Sequence, residues 1–391
     1  MTPLAITSHT VTTALGRGLD AQACALRDER CGLHDRGFES STLQTWIGEV
    51  AGLDQPLPAA WADWDCRNNR LADIGLQQDG FDAAVAATRE RYGAARVGVF
   101  MGTSTAGVQQ TELAYRALED GRLPHWFNHR TSQNVYAVAD YVRLRLGLTG
   151  VCSAISTACS SSAKVFASAS RAIATGQCDA AVVGGIDSLC LTTLYGFNAL
   201  QLISPEVCRP ADAHRTGLSI GEAAGFALLE PDRGQAPLRL EGYGESSDAH
   251  HMSSPDPDGR GAAAAMGDAL RRAGARPDSI GYINLHGTGT QANDLAEDKA
   301  VCTLFGRDMP CSSTKGWTGH TLGAAGIVEA VFSLLCLRDG FLPRSLNTRE
   351  VDPQIESAIL LESRRQPLRR VITNSFGFGG SNCSLVFGTA A

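Results

Sequence analysis

The sequence predicts an α/β fold made of two similar halves, and three observations carry that prediction. Short apolar runs ending in glycine turns alternate with alanine-rich stretches of helical period. The apolar runs are continuous, as expected of strands buried on both faces. Finally, the chain echoes itself. A run of small polar residues around 156–164 opens one apolar helix, a second run at 312–326 opens another, and each helix ends at a glycine, Gly176 and Gly340.

In chain order, strands are expected at 96–101 (RVGVFM), at 180–183 before Gly184 and Gly185, at 282–285 before His286, at 371–373 and at 383–387. Helices are expected over 162–175, 261–273 and 324–337. Residues 34–69 show no clear period and read as surface loops and short helices. The segment DRGQAP at 232–237 reads as a linker, dividing the chain into halves 1–234 and 235–391.

The totals narrow the function classes. A chain of 391 residues, 43% hydrophobic and 19% charged, has ample material for two domains or one large duplicated one. A net charge of −7 argues against a nucleic-acid binder. Apolar runs are too short and interrupted to span a bilayer. The 12 cysteines have no zinc-type spacing, and the opening residues lack a basic segment followed by a long apolar one. Reduced thiols and a cytoplasmic location are the expectation.

Cys159 stands in TACSSS (157–162), just where a helix is expected to begin. Unpaired N–H groups and the positive end of the helix dipole would lower its thiol pKa and make it a nucleophile. A buried structural cysteine is the plain alternative. His286 closes a buried strand and opens HGTGT, and His320 lies in KGWTGHTLG before a helix. Together the two histidines could stabilise and move charge on a thioester, whereas either alone could be a hydrogen-bonded structural residue. Lys315 reads as a buried ion-pair member, with Asp294 and Glu297 as candidate partners. Phe376 and Phe378, in NSFGFGGSN (374–382), read either as core aromatics of a hairpin turn or as part of a lid whose backbone N–H supplies half of an oxyanion hole.

Two motifs read as decoys. Gly217–Gly221 fits G-x-S-x-G, but a nucleophile elbow needs a following helix, and 222–230 reads as a turn and strand. Residues 287–292 fit G-x-G-x-x-A, but Asp294 and Glu297 would set negative charge against a pyrophosphate.

Taken together, TACSSS, RPADAHRTGLSIGEAAG (209–225), HGTGTQANDLAE (286–297), STKGWTGHTLGAAG (313–326) and NSFGFGGSN resemble the elongating β-ketoacyl-[acyl carrier protein] synthases, within the thiolase-like condensing enzymes. The resemblance runs from about residue 96 to 387. It implies a duplicated five-layer α-β-α-β-α fold, usually dimeric. It also implies an acylated Cys159, with His286 and His320 promoting malonyl decarboxylation and Lys315 and Glu297 as a supporting charged pair. In the same way, Phe378 would be a gate sharing an oxyanion hole with Cys159, Thr288 and Thr290 would contact the phosphopantetheine arm, and Thr105 and Phe197 would be walls of the acyl pocket. No metal or organic cofactor is implied. The partners implied are acyl carrier protein (ACP) and a second subunit, either a copy or a related ketosynthase-like chain. ACP is acidic in this resemblance, so a local basic patch is expected, with Arg67, Arg70 and Arg130 as candidates. A thiolase acting on acyl-CoA, with Cys383 as second cysteine, and a non-catalytic chain-length partner fit less well. The first lacks the two-histidine pattern, and the second usually loses the cysteine. Four departures bear on whether this is a housekeeping fatty acid enzyme and admit a specialised polyene-type pathway. AITSHTVTT (5–13) replaces the family's glycine-rich opening strand-turn, Ala211 stands in Arg-Pro-Ala-Asp where phenylalanine is usual, Thr216 replaces an expected aspartate, and the connection between Phe197 and Arg209 is short.

Overall fold

The computed structural model describes residues 1–390. The elements that build the site are β1 (Leu4–Thr13), α1 (Arg67–Leu76), β2 (Val97–Gly102), α2 (Ala137–Arg145), β3 (Cys152–Ile155), α3 (Ser161–Ala174), β4 (Ala180–Asp187), α4 (Leu191–Ala199) and β5 (Ala223–Pro231). They continue with β6 (Leu238–Ser247), α5 (Arg260–Ala273), β7 (Tyr282–Asn284), α6 (Gln291–Phe305), β8 (Pro310–Ser312), α7 (Ala325–Asp339), β9 (Ala358–Ile359), β10 (Arg370–Gly377) and β11 (Ser381–Thr389).

The strands follow one spatial order twice. Residues 4–231 run β3-β2-β4-β5-β1, and residues 238–389 run β8-β7-β10-β11-β6, with β9 added at the edge. In each run three strands are parallel and the last two antiparallel. The two runs join where β1 pairs with β6, Leu4 with Leu240 and Ala5 with Arg239. Between the sheets lie α3 and α7, touching strands of both runs and each other. Helices α1 and α2 cover the outer face of one run, and α5 and α6 that of the other. This is a five-layer arrangement. No helix among the described residues is long and apolar enough to cross a membrane.

Helix α7 has no polar face: residues 325–337 are all buried, as a helix in a middle layer must be. Its approach to α3 requires glycine, because a Cβ on Gly326 would overlap the backbone nitrogen of Ala163.

Several sequence expectations change. Strand β1 was unreadable as a buried strand because it carries threonines and a histidine; Thr10, Thr12 and Thr13 are nonetheless buried. Strands β6 and β8 also lack a clear strand signal in the sequence. Residues 34–69 are not simply surface loops: Phe38, Ile47, Val50, Leu53 and Leu57 are buried and pack under the first half. The strand predicted at 371–373 extends over all of β10 and pairs with β11 as a hairpin whose tip is residues 378–380. Strand β5 follows Gly217–Gly221, so that motif lacks a nucleophile elbow's helix.

Gly326→Ala should destabilise the fold by about 1–3 kcal/mol, since the added methyl group must push two buried helices apart. Equilibrium urea unfolding of the two proteins checks this.

Candidate active site

Cys159 lies just outside the helix it was expected to begin. Helix α3 starts at Ser161 with Ser160 as its N-cap, and Cys159 is on the tight turn before it. Ala158, the preceding residue, has φ +52°, a left-handed conformation that costs a non-glycine residue roughly 1 kcal/mol or more. Ser161 holds the turn: its Oγ donates to Ala158 O at 2.6 Å and accepts from Thr157 N at 2.9 Å.

His286 lies two residues past the end of β7, and His320 sits on the loop between β8 and α7. The backbone of His320 is fixed by hydrogen bonds to the 219–221 segment: its N donates to Ser219 O at 2.7 Å, and its O accepts from Gly221 N at 3.0 Å. His320 Nε2 and Cys159 Sγ share a hydrogen bond of 3.0 Å. The two imidazoles meet edge to face with centroids 5.4 Å apart.

Lys315 is 1% exposed and lies behind His286. Its ammonium contacts His286 O and Glu329, and stands 3.3 Å from His286 Nδ1. An ammonium can only donate, so Nδ1 accepts and the ring proton sits on Nε2. The expected partner Glu297 is not the ion-pair carboxylate. That role belongs to Glu329 on α7, the one acid between Ala325 and Leu337. Glu297 instead accepts from His286 N and Gly287 N, both at 2.8 Å, and from Asn374 Nδ2 at 3.0 Å. Asp294 accepts from Ala211 N and Gly289 N and faces Arg215. The amides of residues 286, 287 and 289, which a pyrophosphate would need, are thus engaged by the chain's own carboxylates.

Burial governs the protonation states. It pushes the Cys159 thiol up to about 11, opposed chiefly by the Lys315 charge and then by the N–H of Phe378 aimed at the sulfur. The lowered thiol pKa expected from the helix start is therefore reversed, because full desolvation outweighs both. Burial, with Lys315 adding to it, holds His286 and His320 well below the ordinary histidine range, so both rings are neutral near pH 7. Burial raises Glu297 and Glu329 to about 7, against the hydrogen bonds to Glu297 and the Lys315 charge beside Glu329.

Above this cluster opens a cleft lined by Cys159, both histidines, Phe197, Phe378 and Thr288, with Thr290 and Phe376 also on its wall. Phe378 stacks on Phe197 at 5.6 Å, and Phe376 packs edge-on to His286 at 6.1 Å. Glycine at 377 permits this close approach, since a Cβ there would lie 2.8 Å from Thr157 O. Thr105 does not line the cleft; its N and Oγ1 both donate to the buried Asp187, at 2.9 and 2.8 Å. The basic-patch expectation also changes. Arg67 is buried against Glu222 and Glu49, and Arg70 is paired with Asp65, so of the three candidates only Arg130 is free on the surface.

The Cys159 sulfur and ring nitrogens of His286 and His320 all lie within 4.8 Å of one another, a donor set that could also hold a metal ion. The Lys315 ammonium directly behind His286 opposes a cation there.

Residues 72–234 match the family described as Beta-ketoacyl synthase, N-terminal domain, and residues 239–349 match its C-terminal domain. The chain belongs to the β-ketoacyl synthase family. The 3-oxoacyl-[acyl-carrier-protein] synthase 2 of Vibrio harveyi is 37% identical over 98% of this synthase and 97% of its own length. Among solved structures, the synthase superimposes on a chain of the complex of the ketosynthase ApeO with its chain length factor ApeC from Xenorhabdus doucetiae, with TM-score 0.91 and 37% identity over 100% and 98% of the two chains. It also superimposes on the ishigamide ketosynthase/chain length factor, with TM-score 0.90 and 26% identity over 100% and 99%. The five-layer fold is thus the thiolase-like fold of ketosynthases. The synthase is an acyltransferase of the 3-oxoacyl-ACP synthase type, acting in fatty acid or polyketide biosynthesis.

Alkylation of Cys159 in the free synthase should rise with pH to a half-maximum near 11. Lys315→Met should move that midpoint higher still by removing the charge that most favours the thiolate. Peptide-resolved mass spectrometry after iodoacetamide pulses checks both.

Proposed function

We propose that this synthase extends an acyl chain held on Cys159 by decarboxylative condensation with malonyl-ACP. The observation that carries the reading is the buried trio of one thiol and two neutral imidazoles, with the N–H of Phe378 aimed at the sulfur. The nucleophile belongs to the half 1–234 and both histidines to the half 235–391.

In the first half-reaction, Cys159 attacks the thioester carbonyl of acyl-ACP. The thiol proton passes to the departing phosphopantetheine sulfur as the C–S bond forms, while the His320 Nε2–H faces the Cys159 sulfur. Because the thiol is neutral at rest, this transfer is what makes it a nucleophile. The N–H groups of Phe378 and Cys159 receive the oxyanion; losing one such donor typically costs ~100–1,000-fold in rate. In the second half-reaction, the Nε2–H groups of both histidines hydrogen-bond the malonyl thioester oxygen. Carbon dioxide leaves as its electron pair moves toward that oxygen, and the resulting enolate attacks the acyl-Cys159 carbonyl. Collapse frees the Cys159 sulfur as a thiolate, which regains a proton from solvent, and yields a 3-oxoacyl-ACP two carbons longer. Lys315 keeps the His286 proton on Nε2 throughout. The reading needs neither a metal nor an organic cofactor.

Thr288 and Thr290 on the cleft wall suit the amides and hydroxyl of a phosphopantetheine arm, which makes ACP the carrier partner. A second ketosynthase-like subunit is the other proposed partner. The surface favours it: Tyr115 and Trp126 are 61% and 50% exposed, and β3 pairs with β2 alone, which leaves its outer edge open. Likeness to chains of two ketosynthase/chain length factor complexes supports a specialised polyketide-type pathway over housekeeping fatty acid synthesis.

Incubation with acyl-ACPs, then malonyl-ACP, with intact-mass readout, tests the reading. Wild type should carry one acyl group on Cys159 and release 3-oxoacyl-ACP, while Cys159→Ala should remain unacylated. His286→Ala should still be acylated but should condense ~100-fold or more slowly. Acylation by acyl-CoA alone would overturn the reading in favour of a CoA-dependent enzyme.

A further inference from the structure

We propose that Asp187 is a positioning residue that sets the pose of His320 and ties it to the turn carrying Thr105. Asp187 ends β4 and is fully buried. It receives six hydrogen-bond donors: Thr103 Oγ1 at 2.5 Å, Ser104 N at 3.0 Å, Ser104 Oγ at 2.6 Å, Thr105 N at 2.9 Å, Thr105 Oγ1 at 2.8 Å and Gly323 N at 2.6 Å. Among the described residues, no lysine, arginine or histidine forms an ion pair with it. Hydroxyl and amide donors alone converge on this carboxylate, so both of its oxygens are engaged by the two segments it joins.

The donors come from both halves. Five belong to the turn after β2, and the sixth belongs to the loop three residues past His320. Ser104 Oγ strengthens the link, standing 3.2 Å from Gly323 N as well. Both segments hold non-glycine residues in the left-handed region, Ala106 at φ +45° and Leu322 at φ +55°. Such residues persist only where their surroundings hold them, and here the shared surroundings are the Asp187 carboxylate.

This clamp matters for His320 because the ring has little else to orient it. Its Nδ1 is buried and has no hydrogen-bond partner in the protein, so Nε2 makes its one polar contact, with Cys159. The ring direction therefore follows the backbone. The 219–221 segment holds that backbone at residue 320, and Asp187 holds it at residue 323. Releasing the second hold lets the loop relax and the ring leave the sulfur. No nearby histidine or lysine can substitute, because Lys315 serves His286. The same carboxylate holds the Thr105 hydroxyl, so the turn after β2 and the histidine loop are set by one group.

The inference rests on the reading that His320 serves Cys159, and the experiment separates the two. The variants are Asp187→Asn, Ser104→Ala and, as reference, His320→Ala. For each, the pH profile of Cys159 alkylation and the two half-reactions are measured, with thermal melting as a control. Asp187→Asn should lower the condensation kcat by ~10–100-fold and leave the KM for acyl-ACP within ~2-fold. It should also move the alkylation midpoint to higher pH, in the same direction as His320→Ala, because the thiolate loses the ring N–H beside it. Ser104→Ala should show the same shift at smaller amplitude, and it carries the test if Asp187→Asn fails to fold. A variant with a lower melting temperature but wild-type alkylation profile and wild-type turnover per folded enzyme would reduce Asp187 to a purely structural carboxylate. If His320→Ala itself leaves the alkylation profile unchanged, the role given to His320 fails instead.

Discussion

Everything at the site depends on how closely two buried helices approach. Helices α3 and α7 meet in the middle layer, where Gly326 lies against the backbone of Ala163. The turn before α3 carries Cys159, and the loop before α7 carries His320. Bringing the two helix starts together therefore brings sulfur and imidazole together, although 161 residues separate them in sequence. Sheets on either side hold the pair in register, so the distance between the reacting groups is set by packing in the core and not by a flexible loop.

That location has an electrostatic price. One ammonium, two carboxylates, two imidazoles and a thiol share a dry volume, and full charge on all of them would be strongly unfavourable. Protein interiors settle such conflicts by neutralising groups. Here the imidazoles stay neutral, the thiol stays protonated, and Lys315 is held by Glu329. A neutral resting site suits a reaction whose charge appears only on an enolate or an oxyanion, because fixed N–H donors then meet that charge as it develops.

Much of this was legible in the sequence, for identifiable reasons. Cys159, His286 and His320 stand in loops of small residues between apolar elements, where local sequence marks both the element and its end. The helix echo was readable because α3 and α7 occupy equivalent places in a repeated topology. Partnerships that cross between elements were not readable. Lys315 has acids 18 residues before it and 14 after, and only the fold selects Glu329. The sign of the Cys159 shift was missed because the helix-start argument ignored how completely the thiol is desolvated. Arg67 read as a surface charge because nothing local announces that Glu222, 155 residues later, buries it. A lone acid in an apolar helix (Glu329) and an acid closing an apolar strand (Asp187) were visible signals that went unread.

Strand β1 has a consequence for how the chain reaches this structure. Its first residue pairs with Pro231, 227 positions further on, and its start also pairs with β6. Until residues of β5 and β6 exist, β1 has no edge to join, and the apolar side chains on it have nowhere to go. Closing so long a loop is entropically slow, and topologies dominated by such contacts fold slowly. The parallel core of the first half can assemble early from β2, β3 and β4. It stays open at its β4 edge until β5 arrives, and an open edge of that kind is where a partly made chain aggregates. The seam that joins the two halves closes only once β6 exists, and the synthase is exposed to misassembly for as long as it takes to make it.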